Sequence, residues 1–165
     1  MTLGEIALAR AVFGSTIEYN KVGIHCDSYL PFGLQDERVA MAPNGELYFR
    51  PRLYQDDFSQ SVFNLQHTFI HEMSHVWQRA HGMCVIMRGM VSWMASYRYT
   101  LDGRLLSEYP MEQQAQIIAN NFTLQTHGYI ELINLRKKEV VTLDGDISEA
   151  VIREFYKNAM RGFPW

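Results

Sequence analysis

His71 and His75 stand four residues apart in the stretch FIHEMSHVWQ, and Glu72 directly follows the first of them. On an α-helix, residues four apart lie one turn apart on the same face, so two imidazoles at this spacing can converge on one ion. Zinc accepts neutral imidazole nitrogens and, in hydrolytic sites, keeps one position open for water. A residue one further along the helix sits about 100° around it. That places the Glu72 carboxylate beside the open position, where it can take a proton from the water. Short patterns with three fixed positions also arise by accident, as a polar stripe on a solvated face. Here Phe69, Ile70, Val76 and Trp77 surround the motif with apolar bulk and predict a largely buried helix. Buried imidazoles and carboxylates need partners.

Two residues compete as the third ligand. His81 falls where the longer pattern H-E-x-x-H-x-x-G-x-x-H ends, but that pattern needs a glycine at position 78 to break the helix. This chain has Gln78, Arg79 and Ala80 there, all good helix formers. A continuing helix carries His81 about 120° away from His75, where it suits the negative end of the helix dipole. Glu112 is the better candidate. It lies 37 residues after His75, in the first turn of PMEQQAQIIANNF, and Ala115 gives that helix a small face for close approach. Two packed helices then supply a His-His-Glu set of the kind hydrolytic zinc enzymes use. The plainer reading of Glu112 is a carboxylate that favours a helix N-terminus. Glu108 is the fallback ligand, although Pro110 leaves it outside the helix.

Other polar residues have less defined roles. His67, one turn before His71, is expected to support a ligand or to sit in the core. Asn120 and Asn121 can orient a ligand or face solvent. A Tyr or His opposite Glu72 commonly stabilises the transition state in such sites. Tyr97, Tyr99, Tyr109 and His127 are all available, with Tyr109 and His127 singled out.

The elements that must hold these residues follow from periodicity and punctuation. Residues 3–13 carry an amphipathic stripe that Gly14 ends, and the stretch around Val22 to Cys26 reads as a short strand. RVAMAPNGELYFRP reads as a hairpin about Pro43-Asn44-Gly45. Its strand GELYFR is either an ordinary edge strand or the border of a cleft where a peptide adds by main-chain hydrogen bonds. YQDDFSQSVFNLQHTFIHEMSHVWQRAHG is the strongest helix, capped by Asp57 or Ser59 and stopped by Gly82. A second helix is expected within 84–96, then an extended stretch with a turn at Asp102-Gly103. A helix follows from Pro110 to Gly128, and a last one is bounded by Asp146 or Ser148 and by Gly162. The expected class is α+β, mostly helical with a small N-terminal β-sheet.

Composition narrows the function classes. The 165 residues suit one domain over 1–165, and 47% hydrophobic with 13% aromatic content describes a packed globular chain. A net charge of −3 with mixed signs offers no basic stripe for nucleic acid. Cys26 and Cys84 lack the spacing of a thiolate zinc site and form no disulfide framework. They are expected to be buried or idle thiols, with pairing left open. Glu5 and Arg10 interrupt the N-terminal apolar stretch, so no signal peptide is read there. Arg88 interrupts GMCVIMRGMVSWMASY, which is too short to insert in a membrane. The expectation is synthesis in the cytoplasm, with any export by a route other than a cleaved signal.

Several separated pieces together resemble one family. LGEIALARAVFGSTIEYNKVGIH, PNGELYF, DDFS, FIHEMSHVWQ and YPMEQQAQIIANNF, covering much of residues 3–122, are similar to the small zinc metallopeptidase domains associated with VgrG and Rhs proteins of bacterial type VI secretion systems. The resemblance implies a zincin-like fold of the gluzincin branch, with His71, His75 and Glu112 holding Zn2+ and Glu72 as catalytic base. It also implies an antibacterial effector toxin, delivered by type VI secretion and acting in the target-cell periplasm on a protein or peptide substrate. Its implied partners are the VgrG secretion apparatus and an immunity protein. The alternatives are a zincin-like binding module that keeps the metal only for stability, and an amide hydrolase acting on cell-wall material.

Overall fold

The computed structural model describes residues 1–83 and 97–165. The helix expected within 84–96, and Cys84, lie outside the described residues. The first helix, α1 (Leu3–Phe13), starts with a reciprocal cap: Glu5 N–H donates to Thr2 Oγ1 at 3.1 Å, and Thr2 N–H donates to Glu5 Oε2 at 2.7 Å. The other Glu5 oxygen accepts from Phe58 N–H at 3.1 Å, which ties α1 to the segment entering the long helix. A Cβ at Gly4 would overlap Ser59 Oγ, so any larger residue there must push that side chain aside.

The long helix α2 spans Phe63–Ala80 and is buried almost all round from Phe69 to Gln78. It begins later than expected. Asp57 instead caps a separate turn at Phe58–Gln60, accepting from Ser59 N–H at 2.9 Å, and Ser61 and Val62 are extended. Gln66 closes the gap by donating to the carbonyls of Ser59 and Ser61. At the other end, His81 is the last residue before Gly82, whose φ of +80° stops the helix.

Helix α3 (Met111–Thr126) lies antiparallel to α2, pairing Met111 with Gln78, Asn120 with His67, and His127 with Gln66. Ala115 and Ala119, both fully buried, let the helices approach closely. Gly128, with φ +90°, turns the chain into α4 (Tyr129–Lys137), a short helix absent from the sequence-based picture. It is anchored by Leu132 and Leu135. The last helix, α5, runs Glu149–Ala159.

The strands form two small parallel pairs. β1 (Ile24–Cys26) pairs with β2 (Leu47–Phe49), and β3 (Tyr99–Thr100) pairs with β4 (Leu143–Asp144). Sheet is therefore not confined to the N-terminal third. The expected hairpin survives as one antiparallel bridge between Met41 and Tyr48, because β2 takes β1 as its main partner. GELYFR consequently has no free edge of its own. Phe49, Phe58 and Phe69 stack in sequence, with ring centroids 4.4 and 5.3 Å apart, fixing β2 against α2. Near the other end of α2, Phe163 and Trp165 pack edge-on against Trp77, both at 5.0 Å. Cys26 is exposed rather than buried. No helix among the described residues is long and apolar enough to cross a membrane.

Candidate metal centre

His71, Glu72 and His75 project from the middle of α2, and Glu112 faces them from the first turn of α3. Glu112 Oε2 lies 3.6 Å from His71 Nε2 and 3.3 Å from His75 Nε2. Bonds of about 2.1 Å to a tetrahedral zinc place neighbouring ligand atoms about 3.4 Å apart. The carboxylate therefore stands at about that spacing from each imidazole, and all three ligand atoms lie within 4.8 Å of one another. Among the described residues this is the group of His, Cys, Asp or Glu side chains close enough to hold a metal.

The electrostatics follow from burial and mutual contact. Burial alone would push the Glu112 carboxyl up, but hydrogen bonds and charge from His71 and His75 hold it below the usual carboxylate range. Burial alone would lower His75, and contact with Glu112, aided by Glu72 and Gln78, raises it instead to about 9. Burial raises the Glu72 carboxyl, against the lowering pull of the two histidines. Glu72 therefore holds its proton more firmly than an exposed carboxylate does.

The groove over these residues is walled by the extended segment 39–43 and by Tyr97. Met41 exchanges both main-chain hydrogen bonds with Tyr48, at 3.1 and 2.8 Å. The N–H and C=O groups of the flanking Ala40 and Ala42 therefore point away from Tyr48. Among the described residues they have no hydrogen-bond partner.

The remaining expected residues separate clearly. Tyr97 borders the groove, its ring 6.2 Å from that of His71, and burial with the charges of Glu112 and Glu72 raises its hydroxyl to about 12. Tyr109 and His127 are not brought to the groove. Tyr109 donates to Thr100 O and Asp102 Oδ1, both at 3.1 Å, pinning the β3 strand. His127 lies 15 residues beyond Glu112, about 22 Å along the axis, and bonds to Gln66 at 2.9 Å. His81 turns its Nδ1 to the carbonyl of Trp77 at 2.8 Å and stacks on that indole. Glu108 is exposed and accepts from Leu105 N–H, and Asn121 accepts from Gln125. His67, lowered to about 4 by burial, is a neutral core imidazole 2.7 Å from Asn120 Oδ1. Asn120 donates on to Tyr99, whose hydroxyl meets that of Tyr156.

Sequence reasoning missed Gln78 and Gln114, which join the two ligand helices in the interior. Their signal was present, because both stand in runs that the family resemblance rests on.

No protein-family model matches the chain. The type VI secretion system spike protein VgrG2b of Pseudomonas aeruginosa is 39% identical over 127 residues, covering 72% of this chain and 12% of that protein. The chain therefore corresponds to a small part of the spike protein's length. The solved effector domain of P. aeruginosa VgrG2b superposes with a TM-score of 0.69 at 33% identity, over 87% of this chain and 83% of that one. Sequence and fold agree across nearly the whole of that domain: the chain belongs to the family of VgrG-associated effector domains of type VI secretion systems.

Proposed function

We propose that this effector domain is a zinc-dependent peptidase with a zincin-like fold of the gluzincin branch. The observation that carries the reading is a buried Glu72 in one groove with His71, His75 and Glu112, the Glu112 oxygen standing 3.6 and 3.3 Å from the two histidine nitrogens. Zinc, when bound by those three side chains, supplies Lewis acidity to water and to a scissile carbonyl. Glu72 takes the proton from the attacking water and passes it to the leaving amine, a cycle that its raised pKa favours. Tyr97, protonated at neutral pH, donates a hydrogen bond to the oxygen on which negative charge develops. Segment 39–43, which walls the groove, is the surface along which a peptide lies. We further propose delivery through the VgrG apparatus into the target-cell periplasm, with an immunity protein guarding the producer.

The decisive variant is Glu72→Ala. It is expected to bind zinc as tightly as the wild type while cleavage of periplasmic protein extracts and toxicity both disappear. Wild-type protein incubated with purified peptidoglycan is expected to release nothing. Persistent proteolysis by Glu72→Ala would refute the mechanism.

A further inference from the structure

Two glutamines from the recognisable motifs remain outside the ligand set, Gln78 of VWQ and Gln114 of EQQAQI. They meet between α2 and α3, and both are buried, Gln78 completely. Gln78 Nε2 donates to the main-chain carbonyl of Met111 at 2.8 Å and to Gln114 Oε1 at 3.2 Å. Gln114 Nε2 in turn donates to the carbonyl of Tyr109 at 2.8 Å. A backbone carbonyl only accepts, so these two contacts fix which way round each amide stands. The Gln78 oxygen is left facing His75 Nδ1, 2.8 Å away. An amide oxygen also only accepts, so Nδ1 keeps its proton, and in the neutral ring Nε2 carries the lone pair on the Glu112 side.

We propose that Gln78 is a positioning residue for metal binding: braced by Gln114 and the carbonyls of Met111 and Tyr109, it sets the tautomer and ring orientation of His75. This rests on reading His71, His75 and Glu112 as a zinc site. Met111 directly precedes Glu112, so the amide that orients one ligand also pins the main chain carrying another. One side chain thereby couples a ligand of α2 to the ligand of α3. Groups that hold the far nitrogen of a ligating histidine typically change metal affinity by about 10–100-fold when removed.

Three substitutions separate positioning from packing. Gln78→Met keeps the volume and removes every bond, Gln78→Glu keeps an acceptor for His75 but sets oxygen against Met111 O, and Gln114→Met removes only the brace. Two quantities are read: the zinc dissociation constant against a chromophoric chelator, and the exchange rate of the His75 Nδ1–H in nitrogen-edited NMR of zinc-free protein. Circular dichroism follows folding. Gln78→Met is expected to lose the slowly exchanging Nδ1–H and to bind zinc about 10–100-fold more weakly. Gln78→Glu is expected to keep the protected proton and stay within about tenfold of wild-type affinity, while melting at a lower temperature. Gln114→Met is expected to fall between them. A folded Gln78→Met with wild-type affinity and an unchanged Nδ1–H overturns the proposal. Should that variant not fold, an unaltered Gln114→Met together with an unprotected proton in Gln78→Glu overturns it equally. Wild-type protein that binds no zinc would sink the metal reading alone, because the Nδ1–H measurement needs no metal.

Discussion

One oxygen of Glu112 approaches both histidine nitrogens, so among the described residues this carboxylate completes the cluster that could hold an ion. Glu112→Ala is expected to abolish zinc binding at micromolar metal, as read by metal content after gel filtration. His81→Ala is expected to retain one zinc per chain, because its ring is committed to Trp77. The reverse pair of results would make this a three-histidine centre. That His71 and His75 share a face and His81 does not is legible in sequence, because helical spacing and a continuing helix at Gln78 dictate it. Tyr109 and His127 stand away from the groove for a related reason. Their directions depend on how α2, α3 and β3 pack, and no local period encodes that. Tyr97 borders the groove just ahead of β3, a placement set by tertiary packing.

Helices α2 and α3 form the part of the molecule on which the centre depends, and a buried polar chain crosses them one turn below it. His67, Asn120, Tyr99 and Tyr156 are linked in order by hydrogen bonds from α2 through α3 to β3 and α5. Asn120→Leu strips His67 of its partner and Tyr99 of one of two, and is expected to cost about 2–4 kcal/mol. For a domain of this size that lowers the melting temperature by about 4–16 °C, measurable by calorimetry, with the ligand residues untouched. Among the elements, α1 and the stops at Gly14, Gly82, Gly128 and Gly162 can be read from caps and glycines. The start of α2 cannot, since Asp57 serves a turn of its own. Helix α4 and the β3–β4 pair were missed as well. The helix is only two and a half turns long, and the strands pair residues 44 apart in sequence, contacts that tertiary packing alone creates.

Taken whole, the molecule carries its charge pair where a metal would sit, and this links stability to pH and zinc. His75 is raised to about 9 by Glu112. Its contribution to the metal-free protein is therefore full below the ordinary histidine value of 6.5 and lost as pH rises through about 9. The same proton competes with zinc, so affinity is expected to strengthen from pH 6 toward 9 and level off above. Zinc at a hundred times its dissociation constant contributes about 2.7 kcal/mol, which raises the melting temperature by about 5–11 °C. A chelator should reverse that shift, and thermal scans at pH 6 and 8 with matched zinc give both effects. An equal melting temperature with and without zinc at pH 8 would contradict them. The groove's rim has its own consequence. Under the proposed peptidase reading, its wall at 39–43 offers only uncharged, mostly apolar side chains, so a guest chain would find no charge there to select it. Such a wall would discriminate by shape and apolarity, and hardly by the charge of the residues that pass along it.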